Sequence, residues 1–419
     1  MTASSREPNR RAVNSMLLAA ASGPLLAGAS LHAENAPSGA RPFRVEIPQA
    51  RLDRILARVR DAEWPDRLDA PDTRYGVNWD YMKALAKHWT EQFDWRKAEA
   101  SLNRYPQFLA RIGDYDIHFY YVKGRGPKPL PVIFTHGWPG SVLEYLEAIG
   151  PLSDPASFGG SPEDAFDVIV PSLPGFGFSS KPSKGKPIGR KTTASLWHHL
   201  MTEVLGYSRY GAQGGDIGGG VTGQLALTQA SSLVGVHSST FGEVGSPPPE
   251  AQQSPEERAW RRRQAAYLVT ERDYLNLQQH KPQTIAFGLS DNPLGVAGWI
   301  GEKLKGWSDS SDPIEPSFSK DQALTNIMIY LVTNTIGTSF WMYRARIDDP
   351  DLVGKITVPT GKVSLPHDNP GSNPPRNVLE RSYNLVHYTE LPRGGHFAFW
   401  EEPELMVADV RQFFRKLRA

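Results

Sequence analysis

The sequence predicts an α/β fold in which a mostly parallel sheet is covered by an inserted block of helices. Short buried-strand patterns alternate with helical patterns over residues 116–242, and they return over residues 352–419. The intervening residues 243–351 are helical, irregular and rich in aromatic side chains. We interpret this block as a lid over the carboxyl edge of the sheet, where open parallel sheets hold their sites.

The strands are predicted where β-branched and aromatic residues cluster between turn residues. In the first block these runs are 117–122, 131–135 and 166–170, and in the second they are 355–359 and 384–388. A closing helix is predicted over 402–417. Because helical patterns separate most of these apolar runs, the strands are expected to be parallel and buried on both faces.

An N-terminal helical arm is predicted over residues 41–115. Apolar residues recur at helical spacing before Trp64-Pro65, and residues 79–95 form a second helical pattern. No catalytic pattern occurs in the arm, so we interpret it as a packing element.

Residues 1–36 differ from the rest of the chain. Arg10-Arg11 precedes an uncharged stretch, residues 12–33, which Gly23-Pro24 interrupts and which includes Ala-Gly-Ala at 27–29. The apolar run is too short for a stable membrane span. It predicts a cleavable export signal of twin-arginine-like type and hence a periplasmic or secreted protein. The alternative is a flexible tail that contains two adjacent arginines.

Composition excludes several classes of function. The 419 residues carry a net charge of +1 and include no cysteine. Nucleic acid and anionic membranes are therefore not expected as partners, and disulfides and thiolate chemistry are excluded. The histidines show no metal-ligand spacing along the chain, so no metal and no cofactor are expected. The oligomeric state stays open.

The stretch GGDIG, residues 214–218, has the form of a sharp strand-to-helix turn that presents a nucleophile. Asp216 occupies the nucleophile position. A carboxylate is already ionised at neutral pH, and the start of a helix favours that form. Asp216 can therefore attack an electrophilic carbon directly and form an ester.

Hydrolysis of such an ester requires a base, a residue that orients the base, and oxyanion donors. His396, in the loop after the last predicted strand, is the candidate base, and Asp368, after an earlier strand, is the candidate orienting acid. The order Asp216, Asp368, His396 matches the nucleophile–acid–histidine order of the α/β-hydrolase fold. The backbone N–H groups of Trp138 and Ile217 are the candidate oxyanion donors.

Several motifs together resemble epoxide hydrolases of the microsomal and juvenile-hormone type. They are RDAEWP (60–65), HGWPGS (136–141), PSLPGFGFS (171–179), GGDIG (214–218), KPQT (281–284), GWIGEK (298–303) and RGGHFAFWEEP (393–403). The resemblance covers nearly everything from Phe43 to the C-terminus. It implies an enzyme that converts an epoxide to a vicinal diol, with water as second substrate.

The resemblance also implies two lid tyrosines that donate hydrogen bonds to the epoxide oxygen, and their motif positions are Tyr274 and Tyr343. A phenol, with a pKa of about 10, suits the alkoxide that ring opening creates. The sequence departs from the family in carrying Ile217 where Trp is frequent after the nucleophile. It also has Asp368 where the acid is commonly Glu, so Glu380 and Glu390 are alternatives for that role.

Two other functions fit parts of the pattern. A haloalkane or haloacid dehalogenase also uses an aspartate nucleophile, but it needs indole or amide N–H groups for the departing halide, and the side chain of Ile217 offers none. A non-catalytic relative that binds a ligand would be expected to lack one of the reactive residues, all of which are present. The aromatic lid favours a small hydrophobic epoxide as substrate.

Overall fold

The computed structural model describes residues 37–418, so the predicted export signal lies outside the described residues. These residues form nine strands: β1 (Ala40–Phe43), β2 (Gln107–Ile112), β3 (Tyr115–Val122), β4 (Leu130–Thr135), β5 (Phe166–Pro171), β6 (Tyr210–Gly214), β7 (Leu233–Ser238), β8 (Ile356–Ser364) and β9 (Tyr383–Glu390). They pair into one sheet in the order β1-β2-β3-β5-β4-β6-β7-β8-β9.

Helices lie in the N-terminal arm, cover the sheet and form the lid. Those outside the lid are α1 (Gln49–Arg60), α2 (Trp79–Glu91), α3 (Trp95–Leu102), α4 (Leu146–Ser153), α5 (Arg190–His199), α6 (Ile217–Thr228), α14 (Arg376–Leu379), α15 (Ala398–Glu401) and α16 (Pro403–Arg415). The lid contains α7 (Pro255–Glu271), α8 (Asp273–His280), α9 (Pro282–Leu289), α10 (Pro293–Gly306), α11 (Lys320–Thr333), α12 (Ile336–Ser339) and α13 (Trp341–Asp348). None of the helices within residues 37–418 is both long enough and apolar enough to cross a membrane.

The central strands form the parallel part of the sheet. Neighbours from β5 to β9 in the sheet order are parallel, whereas β1, β2 and β3 add an antiparallel side. The residues of β5 and β6 are all buried, as expected for strands that helices cover on both faces. Because parallel strands end at the same edge, the loops after β4, β6, β8 and β9 meet there. The predicted α/β architecture is confirmed.

The segment predicted as a helical arm also contributes strands. β1 and β2 pair antiparallel with each other, and β2 pairs with β3, so both extend the sheet. The prediction missed β2 because it is buried on both faces apart from Arg111 and therefore lacks an alternating pattern. The helix predicted over residues 79–95 is α2, which ends earlier, at Glu91. A separate helix, α3, begins at Trp95, and Asp94 caps it by accepting a hydrogen bond from the Arg96 N–H at 2.8 Å.

The first arm helix connects the arm to the lid. α1 contacts the lid helices α10 and α11, and its buried residues are Leu52, Ile55 and Val59. Arg51 Nη2 donates to the carbonyl oxygen of Leu331 in α11 at 2.5 Å. The arm therefore contacts the lid as well as extending the sheet.

Candidate active site

Asp216 lies in the turn between β6 and α6. Its backbone has φ 49° and ψ −121°, a conformation that side-chain-bearing residues rarely adopt. Within residues 37–418, Asn334 is the only other non-glycine residue with positive φ. Such strain persists only where the surrounding structure enforces it, and it is concentrated at functional sites.

The glycines around Asp216 are explained by crowding. A Cβ atom on Gly214 would lie 2.2 Å from the carbonyl oxygen of Gly218, and one on Gly218 would lie 1.9 Å from the carbonyl oxygen of Thr135. A Cβ atom on Gly137 would lie 2.4 Å from Asp216 Oδ1. The backbone can pass this close to the carboxylate only because these positions have no side chain.

The two carboxylate oxygens of Asp216 have different surroundings. Oδ1 accepts a hydrogen bond from the Trp138 backbone N–H at 2.9 Å. Oδ2 lies 3.7 Å from His396 Nε2, and the Asp216 side chain is 24% exposed. Ile217 is the first residue of α6, where backbone N–H groups have no partner within the helix. The structure therefore places both predicted oxyanion donors next to Asp216.

His396 and Asp368 meet at the carboxyl edge of the sheet. Asp368 follows β8, His396 follows β9, and His396 Nδ1 lies 2.8 Å from Asp368 Oδ1. The Asn369 N–H also donates to Asp368 Oδ1, at 2.7 Å, while Asp368 Oδ2 is buried without a hydrogen-bond partner. The other two acids considered, Glu380 and Glu390, are exposed, and Glu380 pairs with Arg376 at 2.7 Å. Asp368 is thus the carboxylate in position to orient the imidazole.

The charges around His396 determine its protonation state. Burial lowers the pKa of His396, but nearby carboxylates outweigh burial and raise it to about 9. Asp368 contributes most to this rise, and Asp216 and Glu144 add to it. At neutral pH the imidazole is therefore protonated. Neutralisation of Asp216 removes one of these charges and lowers the pKa of His396.

The two tyrosines implied by the resemblance lie together on the lid. Tyr274 in α8 and Tyr343 in α13 have ring centroids 6.0 Å apart. Tyr274 stacks on Trp138 at 5.4 Å, and Tyr343 contacts the same indole edge-on at 6.0 Å. Burial, with a smaller contribution from Asp216, holds the pKa of both phenols well above the usual value. Both phenols therefore stay protonated at neutral pH.

Glu144 is a site residue that the sequence analysis did not select. Its carboxylate lies against the backbone of Gly140, where a Cβ atom would come within 1.5 Å of Glu144 Oε1. Burial raises the pKa of Glu144 to about 8, an effect that His396 opposes and Asp216 increases. Glu144 therefore lies close to both groups. Its position after HGWPGS is the only signal in the sequence that could have identified it.

Indole rings form much of the wall around the reactive groups. The Trp307 ring lies 4.9 Å from the His396 ring and 5.1 Å from the Tyr274 ring. The indole nitrogens of Trp138 and Trp307 are both buried without hydrogen-bond partners. Trp307 was one of many lid aromatics in the sequence, and nothing in its local pattern distinguished it.

A second buried cluster lies away from these residues. His237, His387 and Asp409 are far apart in sequence but meet behind the sheet, where each imidazole Nε2 lies 2.8 Å from a different oxygen of Asp409. Although burial opposes it, hydrogen bonding from both imidazoles holds the pKa of Asp409 below its usual range. Nitrogen and oxygen ligands of zinc, each about 2 Å from the metal, are farther apart than this. We therefore interpret the cluster as a hydrogen-bonded core element.

Comparison with known proteins identifies the family. A sequence profile described as epoxide hydrolase N terminus matches residues 40–145, and one for the alpha/beta hydrolase fold matches residues 131–286. Epoxide hydrolase 1 of Oryctolagus cuniculus is 34% identical over 89% of this chain and 88% of its own length. The chain belongs to the epoxide hydrolase family.

Other family members cover the same extent of the chain. Juvenile hormone epoxide hydrolase 2 of Ctenocephalides felis is 32% identical over 90% of this chain and 85% of its own length. The solved structure of Aspergillus niger epoxide hydrolase superimposes with a TM-score of 0.81 and 28% identity over 92% of this chain and 99% of that chain. The resemblance inferred from the motifs is confirmed, and the protein is an epoxide hydrolase whose substrates are an epoxide and water.

Proposed function

We propose that this epoxide hydrolase forms a covalent ester between Asp216 and a hydrophobic epoxide, and that water then releases a vicinal diol. The observation that carries the proposal is the unequal surroundings of the Asp216 carboxylate. Oδ1 is held by the Trp138 N–H at 2.9 Å, whereas Oδ2 accepts no hydrogen bond from residues 37–418 and lies 3.7 Å from His396 Nε2. This arrangement leaves Oδ2 as the attacking atom.

In the first step, Asp216 Oδ2 attacks an epoxide carbon, and the bond from that carbon to the ring oxygen breaks. The electron pair of the broken bond passes to the ring oxygen, which takes a proton from Tyr343 or Tyr274. The raised pKa of both phenols makes them proton donors that do not ionise beforehand. The products are a hydroxyalkyl ester on Asp216 and a phenolate.

The ester changes the charge that His396 experiences. Asp216 is neutral in the ester, so one of the carboxylates that raise the pKa of His396 is lost. The pKa falls, so the imidazole gives up its proton, which restores the phenol from the phenolate, and the neutral imidazole can act as a base. Asp368, 2.8 Å from His396 Nδ1, keeps the other nitrogen protonated and the ring oriented.

In the second step, His396 takes a proton from water, and the hydroxide attacks the Asp216 carbonyl carbon. The N–H groups of Trp138 and Ile217 stabilise the oxyanion on Oδ1. The intermediate collapses, the diol oxygen leaves with the proton that His396 took from water, and the carboxyl proton of Asp216 passes to His396, which restores the starting protonation of the site. Glu144, close to both His396 and Asp216, is proposed to hold the water through its carboxyl group.

The expected substrate is hydrophobic because aromatic rings surround the reactive groups. Trp138 contacts Tyr274, Tyr343, Trp307 and Phe340, with ring centroids 5.4–6.3 Å apart. Such walls bind apolar groups.

A dehalogenase remains the second candidate, because the indole N–H of Trp138 is buried beside both lid phenols and has no hydrogen-bond partner among residues 37–418. Indole N–H groups can hold a departing halide. The paired phenols favour an epoxide, since its oxygen stays attached to the product and needs a proton. A non-catalytic ligand-binding relative would use the pocket without forming an ester.

The experiment is intact-mass analysis of the His396→Gln variant after incubation with hydrophobic epoxides that include styrene oxide. Without its base the enzyme should stop at the ester, giving a mass gain of one epoxide on the peptide that contains Asp216. Adducts with haloalkanes but not with epoxides would favour the dehalogenase. No adduct with either class would contradict ester formation at Asp216.

A further inference from the structure

Hydrogen bonds that the proposed mechanism does not use connect the His396 loop to the lid. The His396 loop, residues 391–397, follows β9, and the lid loop, residues 307–319, follows α10. Two carboxylates, Asp309 in the lid loop and Glu401 at the end of α15, bridge the two segments. We call Asp309 and Glu401 the lid clasp.

Glu401 binds both segments with one carboxylate. Its Oε2 accepts a hydrogen bond from the Asp309 backbone N–H at 2.6 Å, and its Oε1 accepts one from the Phe397 N–H at 3.0 Å. Ser317 Oγ donates to Oε2 at 3.2 Å. The carboxylate therefore connects the lid directly to the residue that follows His396.

Asp309 binds the other side of the His396 loop. Its Oδ2 accepts a hydrogen bond from the Gly394 N–H at 2.9 Å, and its Oδ1 lies 3.2 Å from the imidazole Nδ1 of His367, the neighbour of Asp368. The His396 backbone N–H itself donates to the carbonyl oxygen of Trp307 at 2.8 Å. The lid loop thus contacts the loops of both His396 and Asp368.

The close approach is built into the sequence through glycine. A Cβ atom on Gly395 would lie 2.5 Å from the Trp307 carbonyl oxygen and 3.0 Å from Glu401 Oε1. Gly394 has φ +104°, in the region that favours glycine. The two glycines before His396 therefore allow the lid backbone to lie directly against the loop.

We infer that the lid clasp residues Asp309 and Glu401 are positioning residues for the hydrolysis of the ester. They fix the His396 backbone against the lid, so that the imidazole stays on Asp368 and faces the Asp216 carbonyl. The inference rests on the proposed function, in which His396 acts only in the second step. Attack of Asp216 on the epoxide needs the lid tyrosines and not a neutral His396, so the clasp acts mainly on the second step.

The test is rapid mixing of the full-length enzyme with styrene oxide, followed by acid quenching and intact-mass analysis over time. The rise and decay of the ester give the rates of alkylation and hydrolysis separately. In Glu401→Gln we expect hydrolysis to slow by roughly 10- to 100-fold, because small displacements of a catalytic group have effects of this size. The rate of alkylation should change by less than about threefold. Because only hydrolysis becomes slow, the ester should accumulate.

Neighbouring substitutions provide the controls. Glu404→Gln makes the same change three residues later, on the exposed face of α16, and it should leave both rates unchanged. Asp309→Ala should reproduce Glu401→Gln, whereas Asp309→Asn keeps an oxygen for the Gly394 N–H and should restore most of the hydrolysis rate. The Asp309 pair also tests the inference if Glu401→Gln fails to fold.

The possible failures are distinguishable. If Glu401→Gln and Asp309→Ala hydrolyse the ester at the wild-type rate, or slow both steps equally, the positioning role is wrong. If no ester forms even in His396→Gln, the proposed function fails, and the inference fails with it.

Discussion

Replacing Asp216 with Ala is expected to abolish epoxide turnover while the fold is retained. The proposed mechanism has no second nucleophile, so the loss in kcat should be on the order of 10⁴-fold or more, as for other enzymes that lose a residue of a catalytic triad. The change also removes one of the carboxylates that raise the pKa of His396. That pKa should therefore fall below about 9, the value in the unmodified enzyme, and NMR titration of the imidazole can follow it.

The matched control for this prediction is Glu380→Ala. Glu380 is an acid that the sequence alone allowed for the site, but it pairs with Arg376 on the surface. Its removal should leave the rate of diol formation unchanged. Circular dichroism and thermal melting would verify the fold of both variants. Diol formation by Asp216→Ala at more than a small fraction of the wild-type rate would mean that another group or water opens the ring.

The second large effect is expected when both lid phenols are removed, in Tyr274→Phe/Tyr343→Phe. Each phenol can donate a hydrogen bond to the oxygen that becomes an alkoxide. A single Tyr→Phe change leaves one donor and should therefore lower the alkylation rate by about 10- to 100-fold. Both changes together should lower the alkylation rate roughly 10⁴-fold, since removing one donor of this kind lowers a rate by about 10² to 10³. The loss should affect alkylation, so the ester should not accumulate in single-turnover measurements.

Tyr267→Phe is the control for the lid phenols. Tyr267 is also a lid tyrosine, and its pKa is raised by burial and, to a smaller extent, by Glu271 and Asp368. Loss of the Tyr267 hydroxyl should change the rate of alkylation by less than about threefold. A double variant that alkylates at the wild-type rate but hydrolyses the ester slowly would assign the phenols to the second step and contradict the proposal.

The reactive centre was largely predictable because its constraints are local. The turn at Asp216 needs glycine at Gly214 and Gly218, where a Cβ atom would clash with backbone, so the sequence carries a visible pattern. His396 and Asp368 follow strands of one parallel sheet, and the ends of such strands meet whatever their separation in sequence. Chain order and residue type were therefore sufficient to predict that these three residues lie together at one edge of the sheet.

Other site residues depend on contacts between distant elements. Glu144 approaches His396 and Asp216 through packing that no spacing reveals, and Trp307 reaches His396 from the lid. Tyr274 and Tyr343 were selected through resemblance to the family, since the lid contains many aromatic residues. Likewise, β2 was missed because burial on both faces removes the alternation that predicts a strand.

The most direct test of the central claim is a single turnover of styrene oxide with excess enzyme in heavy-oxygen water. If Asp216 attacks the epoxide, the oxygen added to the diol comes from its carboxylate. The first diol should therefore be unlabelled, and the heavy oxygen should appear in the peptide that contains Asp216. Heavy oxygen in the first diol, with an unlabelled Asp216, would show that water attacks the epoxide directly and would contradict the covalent mechanism.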